Sequence, residues 1–382
     1  MSIQHCYNFQ DFRRLAKRRL PTPLFHYIDG AAENEWTATR NTQSFDTFAL
    51  IPNALADLSK LDISTRLFGR KLSMPLFCAP TAMTRLFHYE GEYAVARAAA
   101  KAETLYSLST LSTVSIEEIG KLSDQPKMFQ IYIHKDRGLT REFIERCKAA
   151  NFDALCLTVD TLVTGNRERD LHTGLVMPPR LTLKSLFSFV LHPHWSLNYL
   201  MHDKFELANV KKRMQNSKDL LSVMSYVHQQ FDRSVVWKDA EDIIQQWGKP
   251  FAIKGILSVN DAKRAADIGA SAVMLSNHGG RQLDGCAAPF DVLPAVADAV
   301  ADRLEIILDG GVQRGSQVLK ALALGAKACS IGRGYLFPLT AGGQAGVERA
   351  LDLFRKEIER NMILMGCASL NDLSPAHLIR VV

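Results

Sequence analysis

Ala154-Leu155-Cys156-Leu157-Thr158-Val159-Asp160 is a nearly continuous apolar run that ends in a carboxylate. A strand covered by helices on both faces of a parallel sheet reads as such a run rather than as an alternation of polar and apolar residues. Seven similar runs occur along the chain, at residues 74–80, 105–109, 128–132, 250–254, 272–276, 306–309 and 328–332. The pattern therefore predicts a buried parallel sheet of eight strands.

Amphipathic stretches with helical periodicity separate these runs, and they predict helices at residues 91–101, 115–121, 140–150, 239–247, 260–268, 290–300, 316–324 and 346–362. Repeated βα units of this kind indicate the α/β class and favour a TIM (β/α)8 barrel. The alternative is an open doubly wound sheet, but its glycine-rich fingerprint is missing after the first predicted strand, at Ala79-Pro80-Thr81-Ala82.

Two segments lie outside this repeat. Residues 1–70 precede the first strand and predict an N-terminal helical extension, and residues 170–238 form a long connection, or lid, between strand 4 and strand 5. Connections of this length are usually functional. We expect both segments to belong to the same single domain as the barrel, which then spans residues 1–382.

Composition excludes several classes of protein. The 382 residues are 47% hydrophobic with a net charge of +6 and no long basic block, which argues against nucleic acid and leaves anionic substrates and lipid surfaces open. The cysteines show no metal-like spacing and lie partly in apolar runs, so we expect no metal site and a cytoplasmic protein. No apolar run is long enough to cross a bilayer. The apolar residues 181–201 predict either a lid helix that packs on the barrel or a neighbouring subunit, or peripheral contact with the inner face of the cell membrane.

The sharpest local feature is Ser276-Asn277-His278-Gly279-Gly280-Arg281-Gln282-Leu283-Asp284-Gly285, directly after the sixth predicted strand. A histidine can accept a proton near neutral pH, and an arginine can bind a carboxylate through two parallel hydrogen bonds. His278 and Arg281 in one loop therefore suit a substrate whose carboxylate lies next to the atom that is deprotonated. Either residue alone has an ordinary structural explanation, and so do the other candidates below when they are taken singly.

The sequence resembles the FMN-dependent 2-hydroxy acid oxidase and dehydrogenase family, which includes glycolate oxidase, flavin-linked L-lactate dehydrogenase and mandelate dehydrogenase. The resemblance covers essentially the whole chain. It rests on the decapeptide above and on the stretches at residues 24–31, 79–82, 129–132, 157–160, 308–311 and 331–334.

The resemblance implies a role for each matching residue. His278 is implied as the base, which removes a proton from C2 or from the hydroxyl group, and Asp160 as the carboxylate that stabilises the resulting imidazolium. Tyr132 is implied as the hydrogen-bond partner of the substrate hydroxyl and Lys254 as the cation beside the flavin. The implied binders of the substrate carboxylate are Tyr27, Arg167 and Arg281.

FMN is the implied cofactor. The positions that match its isoalloxazine and ribityl contacts are Pro80, Thr81, Ala82, Ser109, Gln130, Thr158, Lys254 and Ser276. Those that match the ribityl and phosphate end are Asp309, Gly310, Gly311, Gly332 and Arg333. The chain departs from the family at Gln313, where an arginine is usual. Either Arg314 contacts the phosphate instead, or Gln313 supplies a neutral hydrogen bond.

The implied activity is oxidation of a small (S)-2-hydroxy acid, foremost L-lactate, to the 2-oxo acid. Electrons pass either to quinone or a cytochrome, as in a dehydrogenase, or to O2 with formation of H2O2, as in an oxidase, and the residues above do not separate the two. The pocket wall is expected to include Leu108 and Leu111, and the expected assembly is a homotetramer. The competing hypotheses are a flavin-free barrel that binds a phosphorylated metabolite and a non-catalytic interaction module.

Overall fold

The computed structural model of the chain describes residues 2–175, 180–202, 205–210 and 231–381, and it begins with the predicted helical extension. Its helices are α1 (Phe9–Arg19), α2 (Thr22–Asp29) and α3 (Trp36–Gln43). Helix α1 begins where the Asn8 side chain accepts the backbone N–H of Asp11 at 2.9 Å, a favourable N-terminal cap. Strand β1 (Phe48–Leu50) follows, and then the hairpin of β2 (Thr65–Leu67) and β3 (Arg70–Leu72).

A closed barrel of eight parallel strands forms the centre of the described structure. The strands are β4 (Leu76–Cys78), β5 (Tyr106–Ser109), β6 (Lys127–Ile131), β7 (Ala154–Thr158), β8 (Phe251–Ile256), β9 (Ala272–Ser276), β10 (Glu305–Asp309) and β11 (Ala328–Ile331). They are hydrogen-bonded in chain order, and β11 closes the ring by pairing with β4. The predicted TIM barrel is thus confirmed, and each of its strands overlaps a predicted run.

Helices follow the strands around the barrel and in the connections. They are α4 (Gly91–Lys101), α5 (Ile116–Gly120), α6 (Arg137–Ala149), α7 (Glu168–Thr173), α8 (Leu183–Val190), α9 (Pro193–Met201), α10 (Trp237–Trp247), α11 (Val259–Asp267), α12 (Pro289–Val300), α13 (Gly315–Ala323) and α14 (Arg333–Met365). A final strand, β12 (Leu378–Arg380), pairs antiparallel with β1 and so joins the two ends of the chain.

The prediction of the last helix was wrong at its start. Helix α14 begins at Arg333, directly after β11, whereas the sequence predicted a helix from residue 346. The helix is broken at Gly342 and Gly343, whose backbone angles are not helical. Two adjacent glycines are typical of a loop, so the sequence pattern predicted that the helix begins only after them.

The long connection between β7 and β8 carries α7, α8, α9 and α10 in its described parts. The sequence predicted α10 and offered a lid helix within residues 181–201, where the structure has α8 and α9, and it missed α7. Residues 176–179, 203–204 and 211–230 of the predicted lid lie outside the described residues. Helix α8 contacts the N-terminal extension, because the Ser188 hydroxyl accepts the backbone N–H of Thr22 at 2.9 Å.

The N-terminal end of the barrel is closed by the hairpin of β2 and β3. Leu67, Phe68 and Leu72 of this hairpin pack with the side chains that fill the barrel interior, including Phe77 and Met128. A barrel filled in this way is a packed core rather than a channel. Space for a ligand is therefore found at the other end, where the strands finish.

Candidate active site

A cavity of about 590 Å³ opens at the C-terminal ends of the barrel strands. Most of the predicted site residues line it: Tyr27, Pro80, Thr81, Ala82, Ser109, Tyr132, Arg167, Lys254, His278, Arg281, Asp309, Gly310, Gly311, Gly332 and Arg333. The remaining four, Gln130, Thr158, Asp160 and Ser276, are not part of its wall and end strands or begin loops around it. The residues that sequence reasoning selected thus come together at one rim of the barrel.

His278 and Asp160 form a hydrogen-bonded pair beside this cavity, with 2.8 Å between Nδ1 and Oδ1. Burial raises the pKa of Asp160, but the charges of His278 and Lys254 outweigh it, so this pKa is lowered and the group is a carboxylate near neutral pH. A carboxylate only accepts hydrogen bonds, so the neutral ring carries its proton on Nδ1. Its Nε2 is then left as an acceptor, as a general base requires.

The backbone at His278 and at Gly255 allows His278 and Asp160 to lie close together. His278 has a φ of +58°, which is uncommon for a residue with a side chain and is typical of constrained functional sites. Strand β8 also lies next to Asp160, and its pairing with β9 is irregular at Gly255. A Cβ at Gly255 would lie 2.8 Å from the Cβ of Asp160. A glycine is therefore needed here to make room for the aspartate.

Lys254 is held in a buried polar network. Its Nζ donates to the Ser276 hydroxyl at 2.8 Å and lies 3.0 Å from Asp309 Oδ2. Ser276 donates in turn to the same oxygen of Asp309 at 2.7 Å, and the Ser330 hydroxyl donates to the other oxygen. Burial by itself lowers the pKa of Lys254, but the carboxylates of Asp309 and Asp160 raise it by more. The ammonium group therefore stays charged at the cavity wall.

Two guanidinium groups meet over the ring of Tyr27. Arg281 lies 5.0 Å and Arg167 5.4 Å from the ring centroid. One nitrogen of Arg281, Nη1, donates to the carbonyl oxygens of Tyr27 and Gly30 at 2.6 and 2.9 Å. Burial, and then the like charge of Arg167, lowers the pKa of Arg281 to about 9. A bound carboxylate would relieve both effects, so this pair is suited to an anion.

Tyr132 lines the same cavity from the end of β6. Burial, and then the negative charge of Asp160, raises its pKa to about 12. The phenol therefore keeps its proton at neutral pH and can donate a hydrogen bond.

The N-terminal extension holds the decapeptide loop in place. Asn41 and Asn277 exchange two amide hydrogen bonds of 2.8 and 2.6 Å, and Asp284 accepts the backbone N–H of Thr37 at 2.8 Å. A Cβ at Gly280 would lie 2.5 Å from the backbone nitrogen of Ala38. Several residues of the motif thus serve its packing against α3 rather than the cavity.

The other end of the cavity has the features of a site for a phosphorylated cofactor. Gly310 and Gly311 have φ values of +144° and +77°, and helix α14 begins at Arg333 on the cavity wall. Free backbone N–H groups at a helix start bind phosphate well. Near the C-terminal ends of β6 and β7, Gln130 Nε2 and Thr158 Oγ1 are buried without a hydrogen-bond partner among the described residues. These unpaired groups fit a polar ring system such as isoalloxazine.

Gln313 and Arg314, the two candidates for the phosphate end, lie in different surroundings. Gln313 lines the cavity and donates from Nε2 to the Thr42 hydroxyl at 3.2 Å, and it accepts from Gln10 at 3.3 Å. Arg314 instead pairs with Glu357 at 2.6 Å and is not part of the wall. The Arg333 guanidinium donates to the carbonyl oxygens of residues 28, 30 and 279, so it braces the backbone.

Sequence reasoning missed several apolar residues of the wall. These are Met83, Phe87, Leu207 and Phe231, of which Phe87 stacks on Tyr27 with 6.1 Å between ring centroids. They come from loops, where apolar periodicity gives no signal. Leu111 lines the cavity as expected, but the prediction for Leu108 was wrong, because this residue is fully buried in the core.

The sequence profile of the FMN-dependent dehydrogenase family matches residues 16–380. The chain belongs to this family. Its cofactor is FMN. The cavity described above, with its glycines and the start of helix α14 at one end, suits this phosphorylated cofactor.

Curated relatives and solved structures extend the comparison. The chain is 41% identical to an L-lactate dehydrogenase of Acinetobacter baumannii over 97% of each chain, and 42% identical to an L-lactate dehydrogenase of Allorhizobium ampelinum over 97% of this chain and 98% of the relative. The crystal structure of the monotopic membrane protein (S)-mandelate dehydrogenase matches with a TM-score of 0.94 and 34% identity, over 99% of this chain and all of the other. The chain is thus an enzyme of the FMN-dependent 2-hydroxy acid dehydrogenase type.

Two other kinds of feature are absent from the described ranges. None of the helices there is both long and apolar enough to span a bilayer. Nor do histidine, cysteine and acidic side chains cluster there as metal ligands.

Proposed function

We propose that this protein oxidises L-lactate, or a close (S)-2-hydroxy acid relative, to the 2-oxo acid. The observation that carries the proposal is that His278, which is hydrogen-bonded to Asp160, lines the same cavity as Arg167 and Arg281. A base next to a site for a carboxylate is what a 2-hydroxy acid needs. The names of the curated relatives support lactate as the substrate.

In the proposed reaction, Arg281 and Arg167 bind the substrate carboxylate, and the ring of Tyr27 packs against both guanidinium groups. Tyr132 hydrogen-bonds the substrate hydroxyl group. His278 removes a proton through Nε2, from C2 in a carbanion route or from the hydroxyl in a hydride route. Asp160 stabilises the imidazolium that forms, because the attraction between opposite charges is strong in a partly dry site.

Bound FMN supplies the two-electron acceptor. Lys254 is the residue whose positive charge stabilises the negative charge that the cofactor gains on reduction. The residues proposed to hold the ring and ribityl chain are Pro80, Thr81, Ala82, Ser109, Gln130, Thr158 and Ser276. Those proposed for the ribityl and phosphate end are Asp309, Gly310, Gly311, Gly332 and Arg333, with Gln313 as a neutral partner.

The substrate is tested by anaerobic mixing of the FMN-loaded protein with L-lactate, glycolate or (S)-mandelate in a stopped-flow spectrometer. Loss of flavin absorbance near 450 nm reports the reduction. We expect L-lactate to give the largest ratio of rate constant to apparent dissociation constant. A larger ratio for (S)-mandelate would contradict lactate as the substrate, and no reduction by any of the three would contradict the substrate class.

We further propose that helices α8 and α9 rest on an anionic lipid surface. Their inner side is anchored, because Trp195 packs on Phe189 and donates from Nε1 to the carbonyl oxygen of Leu86 at 2.8 Å. Their outer side is apolar and exposed. It consists of Leu183, Leu186, Phe187, Val190, Leu191, Leu197, Leu200 and Met201. Such a large exposed apolar patch is typical of a membrane or protein contact.

Charge favours lipid as the partner of this surface. Lys184 and Arg180 are exposed near the start of α8. The exposed residues Lys17, Arg18 and Arg19 end α1, a few residues before the contact between Thr22 and Ser188. Basic side chains around an apolar face are attracted to anionic headgroups. The membrane-bound character of the similar (S)-mandelate dehydrogenase supports the same partner.

Flotation with phosphatidylglycerol vesicles and with phosphatidylcholine vesicles tests this contact. We expect binding to the anionic vesicles, and we expect loss of binding in the double variant Phe187→Ser, Val190→Ser with flavin reduction unchanged. The control is Leu364→Ser, which removes a similarly exposed side chain from helix α14. A wild-type protein that stays free of both kinds of vesicle would contradict the proposal.

A protein at a membrane surface is suited to pass electrons to quinone or to a cytochrome rather than to O2. After anaerobic reduction, addition of a soluble quinone should restore the flavin absorbance within the turnover time, and air should not. Rapid reoxidation by air with formation of H2O2 would make the protein an oxidase.

A further inference from the structure

Gln282 joins the two loops that carry the proposed base and its carboxylate. Its Nε2 donates to the carbonyl oxygen of Asp160 at 3.0 Å and to that of Val163 at 2.7 Å. Its Oε1 accepts the backbone N–H of Gly165 at 3.1 Å. One side chain in the loop after β9 therefore binds both ends of the segment 160–165 that follows β7.

The two loops also touch through their backbones. A Cβ at Gly165 would lie 2.2 Å from the carbonyl oxygen of Arg281 and 2.7 Å from that of Gln282. The segment is confined on its other side by Gly255, which allows contact with Asp160. Segment 160–165 thus contacts both Gly255 of β8 and the loop after β9, and the amide of Gln282 links the segment to that loop.

The two proposed functional pairs, His278 with Asp160 and Arg281 with Arg167, each have one residue on either side of this contact. Asp160 begins the segment and faces His278, and Arg167 follows it and meets Arg281 over Tyr27. A shift of the segment relative to the β9 loop would therefore lengthen the hydrogen bond of the first pair and separate the second pair at once. A misplacement of about 1 Å in such a site can cost a hundredfold in rate.

We propose that Gln282 is a positioning residue, which holds Asp160 and Arg167 in register with His278 and Arg281. The proposal rests on the function proposed above. Gln282 also lines the cavity, so direct contact with substrate is the competing role. However, both hydrogens of its amide nitrogen are donated to backbone carbonyls, and its oxygen accepts from Gly165. No donor of this side chain is left for a substrate.

The variant Gln282→Met keeps the length of the side chain and removes its three hydrogen bonds. We expect the rate constant for flavin reduction by L-lactate to fall about tenfold, the effect of roughly 1.4 kcal/mol. The apparent dissociation constant for lactate should rise as well, because Arg167 is displaced, and FMN content should not change. Gln245→Met is the matched control, since Gln245 is exposed on α10.

The variant Gln282→Glu separates positioning from simple loss of packing. A protonated glutamic acid can donate to one carbonyl oxygen and accept from Gly165, whereas a glutamate cannot donate and repels the carbonyls and the Asp160 carboxylate. The ratio of its reduction rate to that of the wild type should therefore fall about tenfold or more between roughly pH 5 and pH 8.

Two results would overturn the positioning role: a Gln282→Met rate within a factor of two of the wild type, or a Gln282→Glu rate at pH 8 within a factor of two of the wild type. The second measurement uses a different variant, so it decides the question even if Gln282→Met fails to fold. If the wild type itself is not reduced by L-lactate, the proposed function fails. A variant equal to an active wild type defeats the positioning role alone.

Discussion

Replacing Asp160 by asparagine should slow flavin reduction strongly without disturbing the fold. The substitution keeps the size of the side chain and removes its charge. The backbone contacts of the residue do not depend on the carboxylate, since Gln282 donates to the carbonyl oxygen of Asp160 and Gly255 packs on its Cβ. What changes is the partner of His278 Nδ1, which lies 2.8 Å from Oδ1.

The size of the effect follows from the geometry of the pair. Two opposite unit charges about 4 Å apart attract each other by about 4 kcal/mol at an effective dielectric constant of 20. The side chains of His278 and Asp160 are 28% and 12% exposed, so part of this attraction is screened by water. A loss of about 3–4 kcal/mol from the state with a charged imidazolium corresponds to roughly a 100- to 1000-fold slower reaction.

Anaerobic stopped-flow reduction by L-lactate measures this rate directly. The matched control is Asp153→Asn, because Asp153 precedes the same strand β7 at its other end and has a side chain that is 13% exposed. Asp153 pairs with Arg70 at 2.5 Å and accepts the backbone N–H of Lys127, so its loss should affect stability and leave reduction nearly unchanged. A rate for Asp160→Asn within threefold of the wild type would refute the reasoning.

Three further predictions concern the cofactor and stability. Lys254→Met should make the reduction potential of bound FMN more negative, by roughly 60 mV if about 3 kcal/mol of charge stabilisation is lost. A redox titration that finds an unchanged potential would contradict this prediction. Gly311→Ala should weaken FMN binding at least several-fold in a fluorescence titration, because its Cβ would lie 2.0 Å from the carbonyl oxygen of Asn41. The control is Gly248→Ala, which should bind FMN normally, because Gly248 has a similar φ of +67° and open space around it. Burial lowers the pKa of His134 to about 4. The unfolded chain therefore binds a proton below about pH 6.5 that the folded chain excludes. This group alone should lower the free energy of unfolding by about 3 kcal/mol between pH 6.5 and pH 4, and His134→Phe should remove that contribution in denaturant titrations.

The barrel was predictable because its strands are buried on both faces. Each such strand gives an unbroken apolar run, and the polar residue at its end then identifies the functional rim, as Thr158 and Asp160 do for β7 and Ser276 does for β9. The order of the strands follows from the chain, since consecutive βα units pair as neighbours.

The parts that could not be predicted depend on contacts between distant residues. Whether Gln313 or Arg314 faces the cavity depends on Glu357, which binds Arg314 from helix α14. Phe231 comes to the cavity wall from the long connection, whose path has no signature in the sequence. Gln282 was visible in the motif, but its link to residues 160–165 is formed across more than 100 positions of the chain.

The central claim is that the imidazole of His278 takes the proton of a hydroxy acid that the neighbouring guanidinium groups hold. Its most direct test is anaerobic flavin reduction in His278→Gln, with FMN content measured on the same sample. We predict a protein that retains FMN and still binds L-lactate but loses reduction by at least about 1000-fold, within the range of general base catalysis. A fully FMN-loaded His278→Gln that is bleached by L-lactate at the wild-type rate would contradict the account.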